Sequence, residues 1–318
     1  MRNSFAGLLF IGDPHLCGRV PGFRVDDYPK VILAKLRWAL KYAREHSLLP
    51  CLLGDLFHYP RDNANWLIVE LMDLLDGDLL AISGNHDCGE NKLTRDDTLS
   101  ILVAAGRLRL VGDAERIWRG PMNGVSVAIG GTSWGQRLPK AVERGANDGF
   151  GSPRWVFWIT HHDVNFPGYE EAAHLHCREI AGVDLVVNGH IHRRLEDVVA
   201  GGTTWCNPGN IARVSRSDAS RAHEPSVLRV DVTDSQWTPT RIVVPHQPAE
   251  KVFQSEIVQA AAESSAFIDG LAALQRYKTD DGQGLMEFLD RQLARFEPAI
   301  AAHIRRLATE VLSDERAG

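Results

Sequence analysis

Several features that mark whole classes of protein are missing from this sequence. No apolar run approaches the roughly 20 residues that a bilayer-spanning helix needs, so no membrane span is expected. The apolar run at residues 5–11 has only Arg2 ahead of it. It ends at Gly12-Asp13-Pro14-His15 with no small-residue cleavage site, so it reads as a first strand and not as a signal peptide. Cysteine is scarce: Cys17, Cys51, Cys88, Cys177 and Cys206 form an odd, scattered set without a C-x-x-C pair. A disulfide framework or thiolate zinc site is therefore not expected, and a reducing cytoplasm is. Cys17 and Cys88 each lie two residues past a histidine of interest, but no base pairs with either, so both read as small packed side chains. Basic charge is short as well. The net charge of −6 argues against holding nucleic acid by bulk electrostatics, although local contacts or bound divalent ions remain compatible with it. There is no 20–50-residue repeat and no low-complexity segment.

What is present is an ordinary globular composition, 44% apolar and 24% charged over 318 residues. That length suits one large domain, or a medium domain with a small one. Residues 8–11, 48–53 and 79–82 are short apolar runs that each end in a polar turn. Between them, residues 31–43 and 66–75 repeat apolar positions at three- and four-residue steps, as helices burying one face do, with Asn63 or Asn65 available to cap the second. A short helix follows at 98–105. Strand, turn and helix in alternation give an α/β crossover pattern, with functional residues at the carboxyl ends of strands.

Beyond residue 106 short strands dominate, at 107–111, 125–129, 155–160, 185–187, 195–199, 203–206, 227–232 and 241–244. One helix is expected among them, at 170–180. The expectation is an α/β fold with two sheets laid together, flanked by helices as an αββα sandwich. Pro245-His246-Gln247-Pro248 reads as a linker, dividing a domain at 1–249 from a helical region at 250–318. In that region Phe253, Ile257, Ala260, Phe267, Leu271 and Leu274 share one stripe. Further stripes follow after Gly284 and after Pro298, which suits a helix start better than a helix interior. With eight Lys and Arg against twelve Asp and Glu, the region is acidic and is not a nucleic-acid arm.

Five motifs sit at the expected strand ends: Asp13-Pro14-His15, Gly54-Asp55-Leu56-Phe57-His58, Gly84-Asn85-His86-Asp87, Thr160-His161-His162 and Gly189-His190-Ile191-His192. A single Asp-x-His or His-x-His is usually unremarkable, and thirteen histidines make chance pairs expected. Five in order after apolar strands point to metal binding. Mixed imidazole and carboxylate donors suit manganese, iron(II) or zinc, whereas magnesium prefers more oxygen. Seven ligands sharing one carboxylate would hold two divalent ions, the arrangement for displacement at phosphorus.

This ordered set resembles the calcineurin-like binuclear metallophosphoesterases over residues 8–244. The resemblance implies that Asp13, His15 and His192 hold one ion, that Asn85, His161 and His190 hold the other, and that Asp55 bridges them. It also implies that His86 stabilises the transition state or protonates the leaving oxygen, with Asp87 orienting it. It selects His161 over His162, and strand alternation sends those two rings to opposite sides. The G-D-L-F-H-x-x-R form, with His58 and Arg61, is similar to DNA-repair nucleases of the Mre11/SbcD type, in which the extra histidine helps place the DNA phosphate. That likeness implies manganese as the ion, DNA as substrate, and an SMC/Rad50-type ATPase gripped by the C-terminal helices; a homodimer is a further expectation. The chain departs from that group in leaving no room for a separate DNA-capping domain. Two other readings stand beside it: a small-molecule or cyclic-nucleotide phosphodiesterase or phosphatase, favoured by the acidic charge, and a metal-poor scaffold on the same fold, opposed by the complete ligand set.

Overall fold

The computed structural model describes residues 5–21, 24–113, 116–145, 152–169, 175–215 and 217–253. Contacts divide the chain into Met1–Gln254 and Ser255–Gly318. The expected C-terminal helices lie outside the described residues, apart from the first residues of their stretch. There, a short helix, Ala249–Val252, buries Ala249 and Val252 beside Phe253, and Val25 donates its amide to the Val252 carbonyl.

The first sheet runs β14-β13-β1-β2-β3-β4, with β1 Gly7–Ile11, β2 Leu48–Leu52, β3 Leu80–Ala81, β4 Arg109–Leu110, β13 Ser226–Val232 and β14 Trp237–Val243. Pairing is parallel from β1 to β4 and antiparallel for β13 and β14. The second sheet runs β11-β12-β10-β7-β6-β5. Its strands are β5 Trp118–Met122, β6 Val125–Thr132, β7 Trp155–Thr160, β10 Leu185–Asn188, β11 Val198–Ala200 and β12 Thr203–Cys206. β6, β7, β10 and β12 are parallel, and antiparallel strands close both edges. A small parallel pair, β8 Val164–Asn165 with β9 Leu175–His176, lies apart.

Strand alternation explains why these runs are apolar at every position. Leu8 and Phe10 of β1 pack between the sheets with Leu49, Cys51, Ile129, Phe157 and Val187. Their neighbours Leu9 and Ile11 face the helices α1 Tyr28–Glu45, α2 Asn65–Leu74 and α3 Thr98–Ala104. A strand buried on both faces has no polar side to show. On α1, Ile32, Leu33, Leu36, Ala39, Leu40 and Ala43 form the buried stripe, and the Asp27 side chain caps its first turn.

Three expectations are corrected. α2 has Ala64 at its N-cap with no side-chain bond; Asn63 instead donates to the Tyr59 carbonyl and the Thr98 hydroxyl. Of the helix expected at 170–180, residues 170–174 lie outside the described residues and 175–180 are not helical: Leu175–His176 form a short strand, and Arg178 donates to the Leu138 and Pro139 carbonyls while its own carbonyl takes the Trp205 indole N–H. The outer face of the second sheet is thus covered, among the described residues, by irregular chain carrying Phe166, Ile180, Val183 and Ile191. The third correction is β5, a strand missed because Gly120 and Pro121 lower its propensity; its edge position tolerates the proline. All five cysteines are free, and four are buried.

Candidate metal centre

All five motifs leave the carboxyl ends of parallel strands, three from the first sheet and two from the second, so the two sheets bring them to one edge of the sandwich. The loops after β1 and β2 stay in parallel register: His15 N–H donates to the Asp55 carbonyl, Leu16 N–H to Leu56, and His58 N–H to Leu16. The chain is strained just where donors are presented. Asp13, His15, Asp55 and His190 all have positive φ (34°, 47°, 48° and 70°), a region few non-glycine residues adopt. Gly84 permits the closest approach. A Cβ there would lie 2.6 Å from the Asp55 amide nitrogen and 2.7 Å from its carboxyl carbon.

Two groups of donors converge, each with its atoms within 4.8 Å of one another: Asp13, His15, Asp55 and His192, and Asp55, His161 and His190. Asp55 belongs to both. Asn85 joins the second group through Oδ1, 3.1 Å from His161 Nε2 and 3.0 Å from His190 Nδ1. A third convergence, His15, His58 and His86, adjoins the first. The structure therefore gathers all seven expected ligands, with His86 and His58 beside them.

Proton bookkeeping tests whether cations fit. A carbonyl oxygen only accepts, so a ring nitrogen against it carries the proton and leaves the other nitrogen as a lone pair. His161 Nδ1 lies 2.7 Å from the Leu53 carbonyl, which leaves Nε2 as an acceptor facing Asn85 Oδ1 and, at 3.2 Å, Asp55 Oδ2. His190 Nε2 lies 3.0 Å from the Asp163 carboxylate, leaving Nδ1 as an acceptor against Asn85 Oδ1. His15 Nε2 and His192 Nε2 are 2.9 Å apart. The buried Asp13 Oδ2 and Asp55 Oδ2 have no hydrogen-bond donor. Acceptors face acceptors in a buried acidic site, and divalent cations resolve that conflict. The residues fit the ions.

The electrostatics agree. Burial raises the Asp13 carboxyl to about 7, partly opposed by His161. Burial also works against charge on Asp55, yet His161 and the neighbouring rings hold it well below the ordinary carboxylate range. For His161, burial disfavours the cation, but the Asp55 carboxylate outweighs it and lifts the ring to about 9. His15 is pushed well below its ordinary value by burial, and His58 falls to about 4 for the same reason, with His86 adding repulsion. The pattern is a field that demands positive charge near Asp55: without an ion a second proton on His161 supplies it, a bound cation would take that proton's place, and burial keeps His15 and His58 neutral.

His86 donates its amide to Asp55 Oδ1 at 2.8 Å. Its Nδ1 lies 2.8 Å from the His58 carbonyl, so Nε2 is the free end of the ring. The His86 ring sits edge-on to His15 with centroids 4.7 Å apart, and His58 stacks on it at 5.2 Å and 20°.

The expected task of Asp87 is corrected here. Its buried carboxylate accepts the amides of Phe57 and Gly84, both at 3.0 Å, so it ties the β2 and β3 turns together, and the His58 carbonyl orients His86. Arg61, which the nuclease likeness makes a substrate-binding residue, donates its Nε to the buried Asp97 carboxylate at 3.1 Å, beside the Gly89 amide that shares that oxygen. His162 turns away from His161, to the Thr160 hydroxyl and, at 2.8 Å, the Gln136 carbonyl.

Sequence reasoning missed three supports. Asp163 holds His190; its position right after the His161-His162 pair was the available signal. Trp134 lies over the His190 ring, with centroids 4.9 Å apart, and nothing in its sequence context marks it. Asn188 and Asn207 bond to each other, and Asn207 also donates to the Ile191 and Arg193 carbonyls, shaping the His190–His192 turn. Beside that turn a cavity of about 320 Å³ is lined by Tyr169, His190, His192, Arg193, Ser217 and His223, among others.

The calcineurin-like phosphoesterase family matches residues 7–194, more than half of the chain, and the protein belongs to that family. Its established class is therefore a metal-dependent phosphoester hydrolase with an α/β core of two mixed sheets. A search of curated proteins found no significant match. Among solved structures the chain is similar to a hypothetical protein from Thermus thermophilus (13% identity, 75% of this chain and 99% of that one, TM-score 0.42). It is also similar to a predicted phosphoesterase from Streptococcus pneumoniae (12%, 75% and 89%, TM-score 0.33). A third is vacuolar protein sorting 29 from Cryptosporidium parvum (11%, 74% and 95%, TM-score 0.31). Among the described residues, no helix is long and apolar enough to cross a membrane.

Proposed function

We propose that the chain hydrolyses phosphodiester bonds in DNA as a manganese-dependent nuclease of the Mre11/SbcD-like kind, in the cytoplasm, with an SMC/Rad50-type ATPase as partner. Asp13, His15 and His192 would hold one ion, Asn85, His161 and His190 the other, and Asp55 both. Bound there, the ions supply Lewis acidity toward phosphoryl oxygens and a nucleophile at neutral pH.

The chain's own residues do the rest. Asp87 holds the turn that presents Asn85 and His86 against the turn that presents Asp55. The His58 carbonyl takes the His86 Nδ1–H and so fixes the ring with Nε2 toward the donor groups; only the doubly protonated ring would have an Nε2 proton to give to the leaving oxygen. His190 and Asn85 face each other across the second donor group.

The observation that supports a diester over a monoester is His58, and the likeness of its motif to the nuclease group supports DNA among diesters. His58 stacks on His86, packs edge-on to His15 at 5.5 Å, and its buried Nδ1 has no hydrogen-bond partner. A third imidazole beside the reacting centre suits a diester, whose second ester oxygen must be placed while the first leaves. The test is hydrolysis of single- and double-stranded DNA with manganese, for wild type and His58→Ala. Loss of DNA cleavage with retention of small-ester hydrolysis supports the reading; DNA left intact by wild type overturns it.

A second reading has its own observation. The cavity beside His190 and His192, about 320 Å³, is at the small end of small-molecule sites and suits the organic group of a cyclic nucleotide or phosphomonoester. Hydrolysis of such esters with no cleavage of DNA would favour it. The partner rests on residues 250–318; co-purification of the full chain with a coiled-coil ATPase, lost on removal of those residues, is its test.

A further inference from the structure

We propose that Asp163 is a positioning residue for the second ion, acting through His190, and that the Asp163–Tyr169–Arg193 chain holds it in place. The inference rests on the two-metal reading of the site and assigns a role to a carboxylate outside the seven ligands. Three observations carry it.

The first is orientation. His190 Nε2 lies 3.0 Å from Asp163 Oδ1 while Nδ1 lies 3.0 Å from Asn85 Oδ1. One ring nitrogen thus points to a carboxylate and the other into the donor group with Asp55 and His161. The carboxylate selects the Nε2–H tautomer, and that choice makes Nδ1 a lone pair.

The second is contrast. The other ring of that group, His161, gives its N–H to a neutral carbonyl, that of Leu53. His190 also has the less favourable backbone, with φ of 70°, and a ring only partly buried. Of the two rings it has more freedom to lose, and it receives the stronger, charge-assisted tether.

The third is support for the carboxylate. The Tyr169 hydroxyl donates to Asp163 Oδ1 at 3.3 Å. The Arg193 guanidinium lies over the Tyr169 ring, 5.7 Å from its centroid, and donates to the Gly168 carbonyl. Arg193 sits one residue past His192, so the ligand turn and its support are braced against each other. Trp134 also packs on the His190 ring, with centroids 4.9 Å apart. A surface carboxylate that paired with His190 by chance would need none of these.

The experiment is calorimetric titration of the metal-free, full-length protein with manganese(II) chloride, for wild type, Asp163→Asn and Asp163→Glu. Wild type should bind two ions. Asp163→Asn should bind one of them 10–100-fold more weakly and the other within about threefold of wild type. Asp163→Glu should recover most of the loss. Melting of the metal-free variants should stay within about 2 °C of wild type, as expected for a single partly exposed pair. In parallel, nitrogen-15 NMR of the zinc-loaded wild type should show His190 protonated at Nε2. Two wild-type sites unchanged in Asp163→Asn, both sites weakened alike, or His190 protonated at Nδ1 would each overturn the role of Asp163. Fewer than two ions bound by wild type would overturn the two-metal reading itself.

Discussion

Gly84→Ala is the substitution whose consequence follows most directly from the geometry. The new Cβ would sit 2.6 Å from the Asp55 amide nitrogen and 2.7 Å from its carboxyl carbon. Non-bonded carbon atoms settle near 3.5–4.0 Å, so Asp55 must retreat by about 1 Å. It cannot retreat freely: its Oδ1 takes the His86 amide, and its φ of 48° is already strained. Asp55 is the one residue common to both principal donor groups, so a shift there disturbs both ion sites together. Misplacement of about 1 Å costs on the order of 100-fold in rate, and overpacking about 1–3 kcal/mol in stability.

The assay is manganese titration and phosphodiester hydrolysis, with thermal melting of the metal-free protein. Gly145→Ala serves as the control, since nothing lies within 4 Å of a Cβ there. Gly84→Ala should lose affinity at both ion sites and at least 100-fold in turnover, and Gly145→Ala neither. Gly84→Ala with two ions bound as in wild type and turnover within threefold would refute the placement of Asp55 as the shared ligand.

Other expected outcomes follow from the same structure. His86→Ala should keep both ions and lose about 10²–10⁴-fold in turnover on every substrate, measured by steady-state kinetics. Arg61→Ala should cost about 1 kcal/mol in urea unfolding, because Arg61 is itself partly exposed and the buried Asp97 carboxylate keeps its Thr94 and Gly89 donors, and should leave small-ester hydrolysis unchanged. Lys35 is buried, bonded to the Ile211 carbonyl, and pushed down to about 7 by burial, with Arg24 and Arg213 adding repulsion. Between pH 7 and about 10.4 the unfolded chain holds that proton and the folded chain does not. Stability should therefore rise with pH across that window, by about 1.4 kcal/mol per unit at most, and be lost as pH falls toward 7. Lys35→Met should flatten that slope in urea unfolding followed at several pH values.

The sequence exposed the parts of this protein that repeat simple periods. Residues 8–11 read as a strand because they form a short apolar run closed by a polar turn, and α1 reads as a helix because its apolar side chains recur at three and four. The donor residues were legible for a different reason: strand ends in an α/β sheet collect polar loops, and four of these five loops carry a glycine directly before an Asp, Asn or His. What stayed hidden was decided by long-range partners. Asp87 looked like a partner for its neighbour His86, but Phe57, thirty positions earlier, claims its carboxylate. Nothing beside Arg61 in the sequence points to Asp97, which only the fold brings to it. Residues 175–180 fall within a stretch expected to be helical, and Arg178 is instead held by the Leu138 and Pro139 carbonyls and the Trp205 indole. Asp163 and Trp134 matter only because the second sheet sets them against His190.

The central claim is that two divalent ions sharing Asp55 enable this chain to hydrolyse phosphoesters. Its most direct measurement is activity on a generic phosphodiester after chelator treatment, followed by stepwise return of manganese with bound metal counted by mass spectrometry. The account predicts no hydrolysis from the stripped protein, recovery that saturates near two ions per chain, and no recovery in Asp55→Ala. Hydrolysis that survives stripping, or that saturates with one ion or fewer bound, would contradict it.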